Sequence, residues 1–311
     1  MKILSALLLS VSLLAQAREK QEIDTTTLKH PLKPALWKVE GKDLQKPSYL
    51  FGTIHLGDPR VTTLHPDADK AFIAADHFYA EIDLDPAKQM ALSAKLMRQD
   101  GKTLTESIGP DLTAKLKKAL QAINPVLNPQ PFEPMKTWVI GVTLPTLGMQ
   151  LNGKKALDVV LFERAQKENK TVGALETADS QLKIFDDLKE AEQISVLKST
   201  LEALAKERKE EKDSMKDLLD LYLTKDVPKI GKFLTKMMAE TDYGDRDLSD
   251  RLMKKVLDDR NITMAETISK ALAEKPGKAH FFAVGAAHYT GATAIQDLLT
   301  KKGYTITPAF K

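Results

Sequence analysis

Two histidines share one local pattern near opposite ends of the chain. Each follows an apolar run and a glycine three residues before it, in Gly52-Thr53-Ile54-His55 and in Gly285-Ala286-Ala287-His288. The apolar runs predict buried strands, and the glycines allow a sharp turn or a close approach to a ligand. Open α/β sheets bind ligands at the carboxyl ends of their strands. We therefore expect His55 and His288 to form two walls of one site.

The chemistry best suited to such a pair is metal binding. Neutral imidazole is a common ligand for transition metals, and a catalytic site usually has three protein ligands and an open position. The chain has no cysteine, so the ligands must come from its six histidines and its carboxylates. The alternative for each motif is a core or capping histidine. We interpret His30, His65, His77 and His280 as structural or solvated.

Glu81 is the carboxylate best placed to complete the set. It lies inside the predicted strand 78–83, where a carboxylate is costly to bury unless it is paired or binds a metal. If this strand lies beside the strand before His55, the two side chains meet at the carboxyl ends. Two histidines and one carboxylate would suit a hydrolytic metal site. Asp83 and Asp85 are weaker candidates, and an edge-strand Glu81 facing water is the alternative.

Five further polar residues are candidates for supporting roles. Asp58 is a candidate for orienting a histidine ring, and Asp158 lies in a predicted helix and can point either way. Glu176 follows a predicted strand, where it could act as a general base, clamp a substrate or cap a helix. Arg260 could hold a carboxylate with two hydrogen bonds, and Asn261 is typical of a helix N-cap.

The predicted elements have strands at both ends of the chain and mostly helices between them. Strands are predicted at 35–40, 49–54, 78–83, 170–175, 281–284 and 304–307. Helices are predicted at 67–75, 87–97, 110–122, 132–149, 155–169, 178–223, 226–240, 246–258, 262–274 and 292–301. The first two strands suit a hairpin, and the second and third form a βαβ-like unit that favours a parallel pair. The fold class is α/β, a mixed sheet flanked by helices with a mostly helical insertion at 87–275.

Composition excludes several classes of protein. The 46 basic and 43 acidic residues nearly balance, so nothing indicates a nucleic-acid partner. The absence of cysteine excludes disulfides and a cysteine nucleophile. Sequence motifs of serine hydrolases, P-loop proteins, zincins and dinucleotide-binding folds are missing as well.

The first residues are typical of a secretory signal peptide. A basic Lys2 precedes the apolar run 3–14, and Ala15-Gln16-Ala17 fits a cleavage site. We expect cleavage after residue 17, a polar lead-in at 18–34, and one domain at 35–311. The run is shorter than the ~20 residues that span a membrane. The mature protein is therefore expected to be secreted or periplasmic, without a stable membrane span.

These residues resemble the TraB/GumN family, also called TraB/PrgY/GumN, which includes the animal TIKI proteins. The matching pieces follow the family's order from about residue 36 to about residue 308. They are Leu36-Trp37-Lys38-Val39, Tyr49 to Asp58, Glu81-Ile82-Asp83, Asp158 with Arg164-Ala165, Leu175-Glu176-Thr177 with Gln181, Arg260-Asn261, Val284 to His288, Gly291, and Gly303-Tyr304. Ala156 and Ala287 stand where the family often has glycine.

The resemblance implies a fold like that of erythromycin esterase and the haem-binding ChaN proteins. It also implies a metalloprotease site formed by the two G-x-x-H histidines and a glutamate, here His55, His288 and Glu81. The implied ion is divalent, manganese or cobalt first and zinc as a further option. Gly52 and Gly285 belong to the surroundings of this site. Proteolysis is attributed to the TIKI members, whereas substrates of bacterial members are generally unassigned.

We therefore expect a secreted, metal-dependent hydrolase that acts on peptides or proteins. In this hypothesis Glu176 or another carboxylate shuttles a proton, and Arg260 steadies the substrate or an oxyanion. The alternative is a non-catalytic module that holds haem, a metal or a peptide in the same cleft. The oligomeric state is left open.

Overall fold

The computed structural model describes residues 23–41, 43–224, 227–240, 243–244 and 246–310. The predicted signal peptide at 1–17 lies outside these ranges. Of the predicted lead-in, residues 23–34 are described, and Leu32 N–H donates to the Leu223 carbonyl at 2.8 Å. Within the described ranges, no helix has the length and apolar character needed to cross a membrane.

One mixed sheet lies at the centre of the fold. Its strands within the described ranges are β1 (Leu36–Glu40), β2 (Ser48–Thr53), β3 (His77–Ala80), β4 (Thr171–Ala174), β5 (His280–Gly285) and β6 (Thr305–Pro308). The order is β4-β3-β5-β2-β1-β6. The first four in this order run parallel to one another, and β1 is antiparallel to both β2 and β6. The predicted α/β class with a mixed sheet is confirmed.

The neighbours of β2 differ from the prediction on one side. The predicted hairpin of β1 and β2 is present, with Leu36 opposite Phe51. The strands β2 and β3 are parallel as expected, but β5 lies between them, pairing Phe51 with Ala283 and Phe78 with Phe281. The sequence places β2 and β3 close together along the chain, whereas pairing with a strand some 230 residues later has no local signal.

Helices cover both faces of the sheet and form most of the region between β3 and β5. They are α1 (Pro59–Thr62), α2 (Pro66–Ala74), α3 (Pro86–Ser93), α4 (Leu104–Ile123), α5 (Thr137–Thr143), α6 (Leu147–Leu151), α7 (Leu157–Lys167), α8 (Ala178–Asp186), α9 (Glu190–Glu210), α10 (Ser214–Thr224), α11 (Val227–Glu240), α12 (Arg246–Met253), α13 (Asp259–Glu274) and α14 (Ile295–Lys301). A π-helical turn, Lys254–Asp258, joins α12 to α13, and a 3₁₀ turn, Ala286–Tyr289, follows β5.

Successive side chains of β5 point to opposite faces of the sheet and so contribute to two hydrophobic cores. Phe281 and Ala283 pack on one face, among residues of α2 and α7. Phe282 and Val284 pack on the other, against α13 and α14. All of β5 is buried, as expected of a central parallel strand whose two faces are both covered by helices. The residues that follow β5 are therefore held on a rigid base.

The helices α4, α5 and α9 enclose a hydrophobic core of their own. Leu104, Leu116 and Leu120 of α4 pack with Ile140 of α5 and Leu197 of α9. The strand β4 lies within the same stretch of sequence but belongs to the main sheet. The predicted division of the chain at residues 87 and 275 stays a prediction.

Candidate functional site

Four polar residues lie just beyond the carboxyl ends of the four parallel strands. His55 follows β2, Glu81 follows β3, Glu176 follows β4, and His288 lies in the 3₁₀ turn after β5. Predicted strand 78–83 ends at Ala80, so Glu81 stands at the rim of the sheet and not within it. The rim of a parallel sheet is where α/β folds place ligands.

One oxygen of Glu81 connects the two histidines. The distance from Glu81 Oε1 to His55 Nε2 is 3.9 Å, and the distance to His288 Nε2 is also 3.9 Å. The same oxygen accepts a hydrogen bond from the backbone N–H of Gly285 at 2.7 Å. The structure thus brings together the three residues predicted as metal ligands.

Gly285 leaves open the space between these three side chains. A methyl group at its Cβ position would lie 3.1 Å from Glu81 Oε1, 3.5 Å from His55 Nε2 and 3.6 Å from the His288 ring. The backbone φ of Gly285 is −51°, which any residue adopts. A glycine is therefore needed here for its lack of a side chain, which leaves the gap between the three residues open.

Gly52, in the first motif, is needed for close packing. A Cβ at Gly52 would lie 2.7 Å from the Cβ of Ala35. Its N–H donates to the Ala35 carbonyl at 2.7 Å, and its carbonyl accepts from the buried Tyr222 hydroxyl at 2.8 Å. Hydrogen bonds to both its N–H and its carbonyl thus fix the backbone at Gly52, three residues before His55. Nothing in the sequence pointed to Tyr222, because its partner lies far away along the chain.

His55 is oriented by a carboxylate on α7. Its Nδ1 lies 2.8 Å from Asp158 Oδ2, and Thr53 donates to the other oxygen of Asp158 at 2.6 Å. The charge of Asp158 raises the pKa of His55 to about 10, against the opposing effect of desolvation. The His55 side chain is 64% exposed. Its outer nitrogen is therefore accessible while its inner nitrogen is held.

His288 is oriented by an amide and is nearly inaccessible. Its Nδ1 lies 2.5 Å from Asn261 Oδ1 on α13, and its side chain is only 5% exposed. Burial lowers the pKa of His288 to about 4. The ring is therefore neutral at pH 7, as a metal ligand must be. His55, by contrast, is a cation in the metal-free protein and would have to release its Nε2 proton when an ion binds. The two histidines thus differ in charge and in access.

Arg260 ties together the two glutamates of the site. Its Nη2 lies 2.5 Å from Glu81 Oε2 and 2.6 Å from Glu176 Oε1, and its Nε donates to Glu176 at 2.9 Å. Gln181 also donates to Glu176 Oε1, at 3.0 Å. Burial alone would raise the pKa of Glu81, but His288, His55, Arg260 and the Gly285 N–H together lower it to about 2. Glu81 is therefore a carboxylate throughout the physiological range.

Three supporting residues differ from their predicted placement. Asp58 contacts Arg60 and caps α1, so Asp158 occupies the place proposed for Asp58 beside a histidine. Asn261 lies inside the first turn of α13 and does not cap it. The cap of α8 is Thr177 and not Glu176, because the Thr177 hydroxyl accepts from Ser180 N–H. The contacts of Asp158 and Asn261 join residues distant in sequence, which local propensity cannot rank, whereas the Thr177 cap is a local contact.

His55, His288 and Glu81 fit a divalent ion by residue type and by the distances between their ligand atoms. Ligand atoms lie about 2.0–2.2 Å from such an ion, so two of them are at most about 4.4 Å apart. Both 3.9 Å separations are within that bound, and the gap over Gly285 is the space between the donors. As the side chains stand, no three His, Cys, Asp or Glu side chains in the described ranges already form a group that could hold a metal ion. An ion would share Glu81 Oε1 with the Gly285 amide.

Comparison with known proteins assigns the family. A model of the TraB/PrgY/gumN family matches residues 35–308. The chain belongs to this family. The TraB/PrgY/gumN match includes every residue of the site described above, so the resemblance noted from the motifs is confirmed. No solved structure matches the chain, so the likeness to erythromycin esterase and ChaN stays an expectation.

The relatives of this TraB/PrgY/gumN protein include animal metalloproteases. It is 25% identical over 313 residues to "Metalloprotease TIKI1" of Homo sapiens, covering 88% of this chain and 61% of that protein. It is 26% identical over 329 residues to "Metalloprotease TIKI homolog" of Nematostella vectensis, covering 92% and 69%. A bacterial relative is an "Uncharacterized protein" of Treponema pallidum, 24% identical over 275 residues, covering 86% and 80%. The chain spans about three fifths to two thirds of the length of most TIKI relatives that it matches.

Proposed function

We propose that this protein is a metal-dependent peptidase that acts outside the cytoplasm. The observation that carries the proposal is the position of Glu81 Oε1, 3.9 Å from the outer nitrogens of both His55 and His288. The names of the animal relatives support peptide cleavage and a metal. The signal-like first residues support export. A peptide or protein is the proposed substrate.

His55, His288 and Glu81 would hold the ion, with manganese or cobalt proposed first. When bound, a divalent ion supplies a Lewis acid that polarises a carbonyl and lowers the pKa of water. Asp158 and Asn261 orient the two rings from behind, as carboxylates and carbonyl groups do for histidine ligands in metal sites. Because His55 is the exposed member of the set, substrate would approach from its side.

The contacts of Arg260 change the roles expected for two residues. Three guanidinium nitrogens are engaged by Glu81, Glu176 and the Val256 carbonyl. The Glu176 side chain is 3% exposed and accepts from Arg260 and Gln181. We therefore assign Glu176 and Arg260 to positioning Glu81, instead of to proton transfer and oxyanion binding. This arrangement fixes the direction in which Oε1 points.

The test combines metal binding with cleavage. The chain from Arg18 onward is titrated with Mn²⁺ and Co²⁺ by calorimetry, then incubated with a mixed peptide library with and without each ion. The His55→Ala/His288→Ala variant is the comparison, and His30→Ala, outside the site, is the matched control. We expect one ion per chain and ion-dependent cleavage, both lost in the double variant only. Binding without cleavage would favour a binding module, and a Soret band on adding haem would identify its ligand.

A further inference from the structure

A chain of three hydrogen bonds leads from a carboxylate to His288. Thr293 Oγ1 lies 2.5 Å from Asp258 Oδ1. Asn261 Nδ2 donates to Thr293 Oγ1 at 3.4 Å, and Asn261 Oδ1 lies 2.5 Å from His288 Nδ1. Asn261 and His288 are 1% and 4% exposed, so water has little access to replace these partners.

The chemistry of the groups determines which partner is the donor in each of these three hydrogen bonds. An ionised carboxylate only accepts, so the one hydroxyl proton of Thr293 goes to Asp258. The Thr293 oxygen is then left with lone pairs, which select the NH₂ end of the Asn261 amide. The carbonyl end of Asn261 must face His288, whose Nδ1 has to carry the proton. The Nε2 of His288 then has a free lone pair on the side of Glu81.

A comparison with His55 shows why the second histidine needs this support. The partner of His55 is Asp158, which itself accepts from Thr53. Both oxygens of a carboxylate accept, so rotating Asp158 by half a turn changes nothing. An amide rotated by half a turn exchanges donor and acceptor. A histidine backed by asparagine therefore requires a further group that fixes the amide.

The local backbone places that group within reach. Asp258 ends the π-helical turn and Asn261 lies three residues later in α13, so the two side chains share a helix face. Thr293 follows the turn that carries His288, five residues further along. A single hydroxyl can therefore contact both helix residues at once. The π-turn also precedes Arg260, whose Nη1 donates to the Val256 carbonyl within that turn.

We propose that Thr293, held by Asp258, is a positioning residue that fixes the Asn261 amide and thereby the Nδ1–H tautomer of His288. Only the consequence for an ion rests on the proposed function, because a free Nε2 lone pair is what a metal ligand must present. The tautomer itself is a property of the metal-free protein. The two can therefore be measured separately.

The experiment uses Thr293→Val, which removes the hydroxyl and keeps the shape, and Thr293→Ser, which restores it. Thr300→Val is the matched control, since the hydroxyl of that exposed threonine donates to the Gln296 carbonyl within α14, away from the site. Long-range ¹H–¹⁵N spectra of the metal-free proteins at pH 7 give the tautomer of His288. Calorimetry with Co²⁺ gives its affinity. Thermal melting shows whether each variant is folded, and Thr293→Ala is substituted if the valine variant is not.

We expect the Nδ1–H form in the wild type, Thr293→Ser and Thr300→Val, and a large Nε2–H population in Thr293→Val. Co²⁺ affinity should fall about tenfold in Thr293→Val, the lower end of the loss seen when a group that orients a metal ligand is removed. An unchanged tautomer in the folded variants would overturn the inference, even if the wild type binds Co²⁺. A changed tautomer in a protein that binds no ion would uphold the inference and contradict the proposed function.

Discussion

The Glu81 carboxylate and the Arg260 guanidinium form a buried ion pair in which Oε2 lies 2.5 Å from Nη2. Their side chains are 9% and 14% exposed. The two oxygens of the Glu81 carboxylate therefore have different contacts. Oε2 accepts a hydrogen bond from Arg260, whereas Oε1 faces the Gly285 amide and both histidines. Substitutions can therefore test the stability of the site separately from the ion binding proposed for it.

Arg260→Met is expected to destabilise the protein by about 3–5 kcal/mol, because it leaves two buried carboxylates without their cation. Arg251→Met is the matched control, since that arginine also contacts two carboxylates, Glu192 and Asp247, but on the surface. Its loss should be at most about 1 kcal/mol. Urea unfolding of both variants measures the difference. Equal losses would contradict the buried role of Arg260.

Gly285→Ala is expected to abolish Mn²⁺ or Co²⁺ binding while leaving the protein folded. The added methyl group would occupy the gap between Glu81 Oε1 and the two imidazole rings. Gly277→Ala is the control, because its methyl group would meet only the end of the Gln45 side chain. Calorimetry with each ion and circular dichroism measure the outcome. Full ion binding by folded Gly285→Ala would show that the gap is not the ion site.

The pH dependence of stability should carry a signature of His55 in the metal-free protein. Asp158 raises the pKa of His55 to about 10, against about 6.5 in the unfolded chain. Between these values the folded state binds a proton that the unfolded state does not, so the free energy of unfolding decreases as pH rises. The contribution is full below about pH 6.5 and lost by about pH 10.

Urea unfolding across this range, with chelator present, tests the effect. The slope should be smaller in Asp158→Asn and in His55→Gln than in the wild type. The two variants act on the same interaction, so combining them should remove little more than either does alone. A wild-type slope in both variants would mean that Asp158 does not hold a proton on His55.

His288 should have the opposite signature at lower pH. Burial lowers its pKa to about 4, so between about pH 6.5 and pH 4 the unfolded state binds a proton that the folded state does not. The free energy of unfolding then decreases as pH falls through this window. The difference in slope between the wild type and His288→Gln isolates this contribution from those of other histidines and carboxylates. No difference in slope would contradict a buried, neutral His288.

Local sequence patterns predicted most of the elements and the proximity of His55, His288 and Glu81. The strands and the glycines before His55 and His288 are local features, and the structure brings Glu81 to both histidines. The predicted helix at 132–149 is interrupted by a 3₁₀ turn at Leu144–Thr146, where Pro145 lacks an amide hydrogen. The helix predicted from 110 begins at Leu104, and Gly109, with a φ of 75°, marks a kink within it.

What the sequence could not supply were contacts between distant segments. Asp58 and Asp158 are equivalent by residue type, and only the fold places Asp158 beside His55 across 103 positions. Asn261 has the propensity of a helix cap, but its contact with His288 overrides that preference. Thr293 has no distinguishing pattern at all. Residues that position other side chains do so through contacts that form only in the folded structure. Their roles are therefore not visible in the local spacing of the sequence.

The insertion of β5 between β2 and β3 determines when the site can exist during folding. While the helices between β3 and β5 are being synthesised, the facing edges of β2 and β3 have no partner. Long-range parallel pairing of this kind is slow to form. The strands that precede His55 and Glu81 therefore gain the strand that joins them only when about the last tenth of the chain has arrived. A partly folded chain therefore has no assembled site, and the pairing of β5 completes the sheet and the site together.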